Sequence, residues 1–349
     1  MRLTLLVPDL PLPDMEGHFS LSCPSFPALH RLLAKGNTHH KASHNLEETL
    51  LQIFGVTTPI SFPIAAVSLH GEGIDSESHT WLRADPVSLQ VMRDHIQLHG
   101  ADKLAITPDE AGALIETLNH HLKIEYAAHS LRIFSASPER WYMQVEQAIT
   151  PRTVPVWQIE GRSILESLPV SQGALDWKCL TNEMQMLLHD HPVNRASEAT
   201  GKQPVNGIWF WGEGSANAAN LQAPSFSTIY ADNTLARGLA RQMQLEVQPV
   251  PNNLPDLLRL SPAFSPSSSV LVVLDNTAHA WRSADERTWV AACADTETRW
   301  FSPAQATLKS GILTQLELHL PTGSQTWCTT IKRNHLWRFW RRSLPHDHA

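Results

Sequence analysis

The stretch His189 to Gly214, HDHPVNRASEATGKQPVNGIWFWGEG, gathers more groups suited to binding chemistry than any other part of the chain. An apolar strand, Gly207 to Trp211, stops there at Gly212-Glu213-Gly214. In an open α/β sheet a glycine loop past a strand's carboxyl end lets backbone N–H groups close on an anion. Asn194, Arg195 and Asn206 are residue types that orient a phosphate or carboxylate, and Asn206 can equally tie a turn through its side chain. Together with Gly212 and Gly214 they form the candidate substrate-binding set. His189-Asp190-His191 offers imidazole and carboxylate, which suit zinc or manganese. At a helix end the same histidines favour the dipole, and that is the reading taken. Arg83 and Asp85 have the spacing of a local ion pair, and Arg140 beside Trp141 has the reach for a phosphate or a structural partner.

Composition bounds what these groups can serve. The chain has 349 residues, 42% hydrophobic and 17% charged, which fits a globular protein with a sizeable core. Net charge is −7, so no global attraction to nucleic acid or anionic lipid is expected. The four cysteines are scattered without a C-x-x-C pair, which argues against a zinc ribbon or a dense disulfide framework. MRLTLLVPDL reads as a first strand rather than a secretory segment, and the cytoplasm is the expected compartment. The 19 histidines lie mostly in pairs or tails, among them His346 and His348, without ligand spacing. The tail from Lys332 to Arg342 alternates basic and aromatic residues. That pattern suits stacking on single-stranded nucleic acid, a membrane surface, or docking onto the core, and docking is the reading taken.

The elements that must position these residues follow from periodicity. Leu3 to Val7 reads as a buried strand, and Ser25 to Lys35 as a helix stopped by Gly36. A second helix runs from about Leu46 to Phe54, stopped by Gly55. Ile64 to Leu69 and Thr80 to Arg83 read as strands, Asp109 to Leu122 as an amphipathic helix, and 131–134 with 141–143 as a small hairpin. Thr150 to Gly173 is Pro-rich and poorly periodic. Helices are expected around 182–188, 233–243 and 286–294, and a loop at 260–269. Val270 to Leu274 reads as a central parallel strand, and Leu316 to Leu320 as the final one.

Laid in order, these pieces resemble the alkaline phosphatase superfamily, more closely the archaeal-type cofactor-independent phosphoglycerate mutases, and most closely the bacterial RpfE-type regulatory proteins. Ser25-Phe26-Pro27-Ala28-Leu29-x-x-Leu32 through Gly36 is similar to the superfamily's first-helix motif. His191-Pro192-Val193-Asn194, Gly201-Lys202, Pro204-x-Asn206 and Gly212-x-Gly214 are similar to the mutases' central block. Asp275-x-x-x-His279, after an apolar strand, is similar to their metal motif.

The resemblance implies an alkaline-phosphatase-like α/β core, residues 1–74 and 176–349, with a mostly parallel sheet flanked by helices. A smaller α+β insertion would occupy residues 75–175. It also implies two divalent cations, manganese or another, that activate a serine for phosphoryl transfer. Asp9, Asp275 and His279 stand where metal ligands are expected, although Leu10 replaces the glycine that usually follows Asp9. The nucleophile position, nine residues before Gly55, is Leu46, and Ser43 can serve only with a gap. The late Asp-His pair finds only Leu318-His319, and leucine binds no metal. The implied function is a phosphoglycerate-mutase-like protein with a degenerate metal site and a regulatory or phosphometabolite-binding role. The alternatives are an active metal-dependent mutase or phosphatase, and single-strand binding through the tail. The expected partner is a phosphorylated small metabolite, neither a membrane nor nucleic acid.

Overall fold

The structure, a computed structural model, describes residues 1–12, 25–43, 45–56, 62–76, 79–93, 96–146, 150–159, 164, 167–169, 175–216, 221–222, 226–260, 268–282, 286–338 and 340–341. The chain divides into two compact units, Met1–Gly55 with Gln222–Ala349, and Val56–Leu221. The insertion expected at 75–175 lies inside the second unit, whose bounds are wider on both sides.

The first unit opens with β1 (Arg2–Leu6), α1 (Pro27–Lys35), β2 (Asn37–Lys41) and α2 (Leu46–Ile53). The second unit holds α3 (Ile64–Glu72), β3 (Thr80–Val91), β4 (Ile96–His99), α4 (Pro108–Glu125), β5 (Arg132–Ser137) and β6 (Arg140–Val145). It continues through α5 (Val156–Ile159), α6 (Trp177–His189), α7 (Pro192–Ala199) and β7 (Gly207–Gly214). The first unit resumes with β8 (Thr228–Tyr230), α8 (Thr234–Gln242), β9 (Glu246–Gln248), α9 (Leu254–Leu260) and β10 (Ser269–Val273). After these come α10 (Asn276–Arg282), α11 (Glu286–Thr296), a π-turn at Glu297–Phe301, α12 (Ser302–Ser310), β11 (Gln315–Pro321) and β12 (Thr326–Lys332).

The first unit is built on a seven-stranded sheet in the order β2-β12-β11-β1-β10-β8-β9. The strands from β11 to β9 run parallel, and only the β11–β12 and β12–β2 pairings are antiparallel. Val270 to Val273 are wholly buried, as a central parallel strand covered on both faces requires. Leu3, Leu5, Leu316 and Leu318 pack with Leu29 and Leu32 of α1 and Leu308 of α12 in one core.

Gly36 ends α1 as expected, but with extended backbone (φ −69°, ψ 176°). Its requirement is space, because a Cβ there would collide with Thr329 of β12. At the other end of α1 the N-cap residue Phe26 supplies no side-chain cap. The buried carboxylate of Glu297, on the π-turn, accepts the first amides instead.

The second unit is an antiparallel sheet, β4-β3-β6-β5, with β7 added alongside β3. Its core joins Leu114 and Leu118 of α4, Trp177 and Leu180 of α6, and Ile208 and Phe210 of β7. A capping box between Thr107 and Glu110 starts α4.

Three expectations are corrected. Ile64–Leu69 is helical: its buried apolar run is too uniform for periodicity to separate strand from helix, and Pro63 and Gly73 bound it as a helix. The strand Gly207–Trp211 extends to Gly214 and belongs to the antiparallel sheet, so no glycine loop follows it at a parallel edge. Leu316–Leu320 is not the last strand, since β12 follows and pairs with it, and β2 on the sheet edge was not foreseen.

Most of the loop expected at 260–269, much of Thr150–Gly173, and Phe339, Arg342, His346 and His348 of the tail lie outside the described residues. Within the described part the tail meets α1 through polar contacts, while Trp337 and Trp340 stay exposed and do not dock on the core as expected. The Lys35 ammonium donates to the Leu336 carbonyl (2.9 Å), and the Arg338 and Arg341 guanidiniums donate to the Lys35 and Gly36 carbonyls (3.1 and 2.6 Å). Among the described residues no helix is long and apolar enough to cross a membrane.

Candidate functional site

Three parallel strand ends define the candidate site. Leu6 of β1 stands in register with Val273 of β10 on one side and His319 of β11 on the other. The Leu274 amide donates to the Leu6 carbonyl (2.9 Å), and the Val7 amide to the His319 carbonyl (3.0 Å). Past these bonds Asp9 and Asp275 emerge at the same carboxyl edge. Asp9 has φ +53°, a left-handed conformation that aspartate tolerates better than most residues. Its amide donates to the Pro321 carbonyl (2.9 Å), and its own carbonyl accepts the Trp289 indole N–H (2.8 Å). Thr277 donates its hydroxyl to the neighbouring Pro8 carbonyl (2.6 Å), which ties the start of α10 to the same turn.

Asp275, His279 and Arg282 recur at i, i+4 and i+7, so α10 presents them on one face. His279 Nε2 lies 3.5 Å from Asp275 Oδ2. Arg282 Nη2 donates to both carboxylate oxygens of Glu47, at 3.0 and 3.3 Å. Glu47 is held in place by α2, whose N-cap Asn45 accepts the Glu48 amide. The Asp9 carboxyl is pushed up to about 6: burial raises it, the Arg282 charge opposes this, and Glu47 adds to it. Asp9, Glu47 and Arg282 therefore form one electrostatic cluster at the strand edge.

A pair of hard divalent cations needs roughly six oxygen or imidazole ligands. Among the described residues no group of three or more His, Cys, Asp or Glu is arranged to hold a metal ion. Asp275 and His279 are brought together, and the Glu47 carboxylate already faces the Arg282 guanidinium. The described residues do not fit the two-cation centre that the sequence resemblance implied, and no chemical step is derived through it.

Ser43 is fully buried beside β12, where its hydroxyl donates to Thr326 (2.8 Å) and lies 3.3 Å from the Thr49 hydroxyl. Leu46, at the counted nucleophile position, is buried and apolar at the start of α2. Leu318 points into the core with Leu316 and Leu320, so His319 faces the opposite side of the sheet. There its Nδ1 lies 3.5 Å from the Cys328 sulfur.

The other candidates belong to the second unit. Asn194 is buried; its amide donates to the Leu188 and Val205 carbonyls (2.6 and 2.7 Å) and its oxygen accepts the Val205 amide (2.9 Å). Asn206 brackets Leu89 of β3, accepting its amide (2.6 Å) and donating to its carbonyl (3.0 Å). Arg195 is exposed, 3.5 Å from Asp190. Gly212 (φ +69°) and Gly214 (φ +143°) let β7 approach α3 and its entry, where a Cβ would meet Ala65 N at 3.3 Å and Pro63 Cβ at 2.6 Å. His189 closes α6, and His191 caps α7 by accepting the Val193 amide (3.3 Å). Arg140 pairs with Glu72 at 2.7 Å. A cavity of about 340 Å³ lined by His79, His129, Ser130 and Glu146 contains none of the candidates.

Arg83 and Asp85 do pair. Asp85 Oδ1 accepts from Arg83 Nε and Nη2 (3.0 and 2.6 Å), while Oδ2 accepts the Trp211 indole N–H (2.6 Å). The guanidinium lies over the Tyr142 and Trp211 rings, 5.1 and 5.3 Å from their centroids.

No family model matches the chain. A probable 2,3-bisphosphoglycerate-independent phosphoglycerate mutase of Geobacter sulfurreducens is 46% identical over 63 residues, 18% of this chain and 16% of that protein. A 2,3-bisphosphoglycerate-independent phosphoglycerate mutase of Methanosarcina acetivorans is 24% identical over 241 residues, 63% of this chain and 54% of that protein. The solved PH0037 protein of Pyrococcus horikoshii matches with a TM-score of 0.54 at 13% identity, covering 95% of this chain and 87% of that one. The chain is homologous to cofactor-independent phosphoglycerate mutases at low identity. Its fold is α/β and alkaline-phosphatase-like, with a mixed, mostly parallel central sheet and flanking helices. The chain spans at most 54% of the length of these curated mutase relatives.

Glu47 and Arg282 were not singled out from the sequence of this mutase homologue. Arg282 had a readable signal, the i, i+4, i+7 stripe that begins at Asp275. Glu47 had none, because its pairing depends on how α2 meets α10.

Proposed function

We propose that this chain is a phosphoglycerate-mutase-like protein whose metal centre is degenerate. In this reading it works in the cytoplasm as a regulatory or phosphometabolite-binding module, as its resemblance to the RpfE-type regulatory proteins suggests. The observation that carries the proposal is the ion pair between Arg282 and Glu47, set at the strand edge where Asp9 and Asp275 emerge. A guanidinium there supports anion neutralisation rather than a nest of hard-cation ligands. The enclosure of Ser43 among Thr49 and Thr326 supports the same reading, since a nucleophile must reach its substrate.

The test is a turnover assay with 3-phosphoglycerate and manganese, run beside thermal melting with a panel of phosphorylated metabolites. A melting shift with a phosphometabolite and no turnover is expected. Mutase turnover abolished by Asp275→Ala would replace this reading with that of an active metal-dependent mutase.

A second reading rests on the tail, where Trp337 and Trp340 are 79% and 66% exposed at i, i+3 spacing. Indoles so placed suit stacking on single-stranded nucleic acid. Salt-dependent binding of an oligonucleotide that is lost in a Trp337→Ala, Trp340→Ala double variant would favour it.

A further inference from the structure

We infer that the surface carrying Trp337 and Trp340 is a docking site for an anionic lipid bilayer, the indoles entering the headgroup layer while neighbouring cations hold the acidic phospholipid. The inference is independent of the metal centre and of the mutase-like reading.

Trp337 and Trp340 are 79% and 66% exposed, yet the segment that carries them is anchored. The 3₁₀ turn Arg333–Trp337 and the turn after it are closed by the Arg338 amide on the His335 carbonyl (3.1 Å) and the Arg341 amide on the Arg338 carbonyl (3.2 Å). In such turns residues three apart lie on one side, which gives both indoles a common direction. His335 is buried and Leu336 packs against the core, so the inward side of the segment is already used. Arg338 Nη1, besides its bond to the Lys35 carbonyl, donates to Asn37 Oδ1 (2.7 Å). Two large apolar rings are thus held out in water, and only a partner can bury them.

Charge selects that partner. Lys332, Arg333, Arg338 and Arg341 lie on or beside the segment and Lys35 is bonded to it, in a chain whose net charge is −7. The acceptors that hold Lys35, Arg338 and Arg341 are carbonyls and one amide, all neutral, and among the described residues none of the five cations meets a carboxylate. Their convergence is felt at His335, whose imidazole is lowered by burial first and then by the charges of Arg338, Lys332 and Arg341. The partner must therefore be anionic as well as apolar. Tryptophan among lysine and arginine is the composition that settles at the boundary between headgroups and acyl chains.

Two observations favour a bilayer over the single strand considered above. A Cβ at Gly311 would meet Arg333 Nη1 at 3.2 Å, so Ile312, next in the chain and 54% exposed, borders the same surface. An aliphatic side chain stacks on no base but partitions into lipid. Arg338 and Arg341 each commit Nη1 to acceptors on or next to α1, so they offer a diffuse positive field rather than a free fork for one phosphate, which suits a layer of headgroups.

The full chain is mixed with vesicles of phosphatidylcholine alone, or of phosphatidylcholine and phosphatidylserine in equal parts, and bound protein is separated by flotation. Flotation with the phosphatidylserine vesicles only is expected, weakening as NaCl is raised, with tryptophan emission shifted to the blue and quenched by brominated lipid. The Trp337→Ala, Trp340→Ala double variant should lose flotation and keep the wild-type melting temperature, because both indoles are exposed. Lys332→Gln and Arg333→Gln should each lower vesicle affinity about fivefold.

Absence of flotation with phosphatidylserine overturns the inference, as does flotation that the double variant retains, or equal flotation with phosphatidylcholine alone. Binding of a single-stranded oligonucleotide without vesicle binding overturns it in favour of the single-strand reading. An indole-dependent dimer in sedimentation, again without vesicle binding, overturns it in favour of a second copy of this chain. Should the double variant fold poorly, the quenching of wild type by brominated lipid and the two charge variants decide.

Discussion

Glu297 reaches across 269 residues of sequence to accept the amide of Ala28 at 2.6 Å, and its second oxygen accepts the amide of Leu29 at 3.2 Å. A helix start that lacks its own capping side chain borrows one from a π-turn, a feature that inserts one residue into a helical run. Glu297→Ala leaves two buried amides without acceptors and should lower unfolding free energy by about 1–3 kcal/mol. Urea denaturation checks this, with Glu297→Gln, which retains an acceptor, falling between the two.

Asp85 is the hinge of the buried polar group in the second unit. Asp85→Ala strands the Arg83 guanidinium between two aromatic rings, and destabilisation of about 3–5 kcal/mol is expected. Asp85→Asn keeps acceptors for Arg83 or Trp211 and should be milder. Loss of near-ultraviolet ellipticity as the Trp211 environment loosens would accompany the change. Equal stability of wild type and Asp85→Ala would contradict this account.

Ser43 should behave as a packing hydroxyl. Ser43→Ala removes a bridge between Thr49 and Thr326, and a loss of about 1 kcal/mol is expected. Incubation with radiolabelled phosphoglycerate should leave no label on the wild-type protein. Label that appears on wild type and vanishes in Ser43→Ala would make Ser43 a nucleophile.

His319 gives the first unit a pH-sensitive term. Burial first, then the nearby positive charges of Lys41 and His39, lowers its imidazole to about 4. Between about 6.5 and about 4 the unfolded chain binds a proton that the native protein does not, so native stability falls as pH falls through that window. The loss is at most roughly 3 kcal/mol. Asp9, raised to about 6, has the opposite sign: its native form binds the extra proton below that pH, and stability falls as pH rises through the window. The His319 contribution is therefore read as a difference. The stability of His319→Gln relative to wild type should improve as pH is lowered from 7 to 4.5. A difference that stays constant with pH would refute the assignment.

Much of this fold was legible in the sequence because its strongest signals are local. Val270 to Val273 could only be a covered strand, and the apolar spacing of α1 and α4 specified their inner faces. The run from Ile64 to Leu69 misled because residues buried on every side carry no period. The strand Gly207–Gly214 was seen, but its partner was not: pairing with β3 joins residues more than a hundred positions apart. The candidate site shows the same division. Asp9, Asp275 and His279 announce themselves by following strands, while the Arg282–Glu47 contact depends on helix packing that no spacing encodes. Asn194 and Asn206 have the right chemistry for a ligand, but buried backbone amides and carbonyls nearby already engage their side chains.

The position of β1 between β10 and β11 has a consequence for synthesis. Strand β1 finds neither neighbour until residues near 270 and 320 have been made. Among the described residues the strands from β3 to β7 pair among themselves, within residues 80–214, and can close while the remainder is still being made. Until β10 and β11 have been made, then, the apolar Leu3–Val7 segment is an unprotected strand edge, a natural client for a holding chaperone.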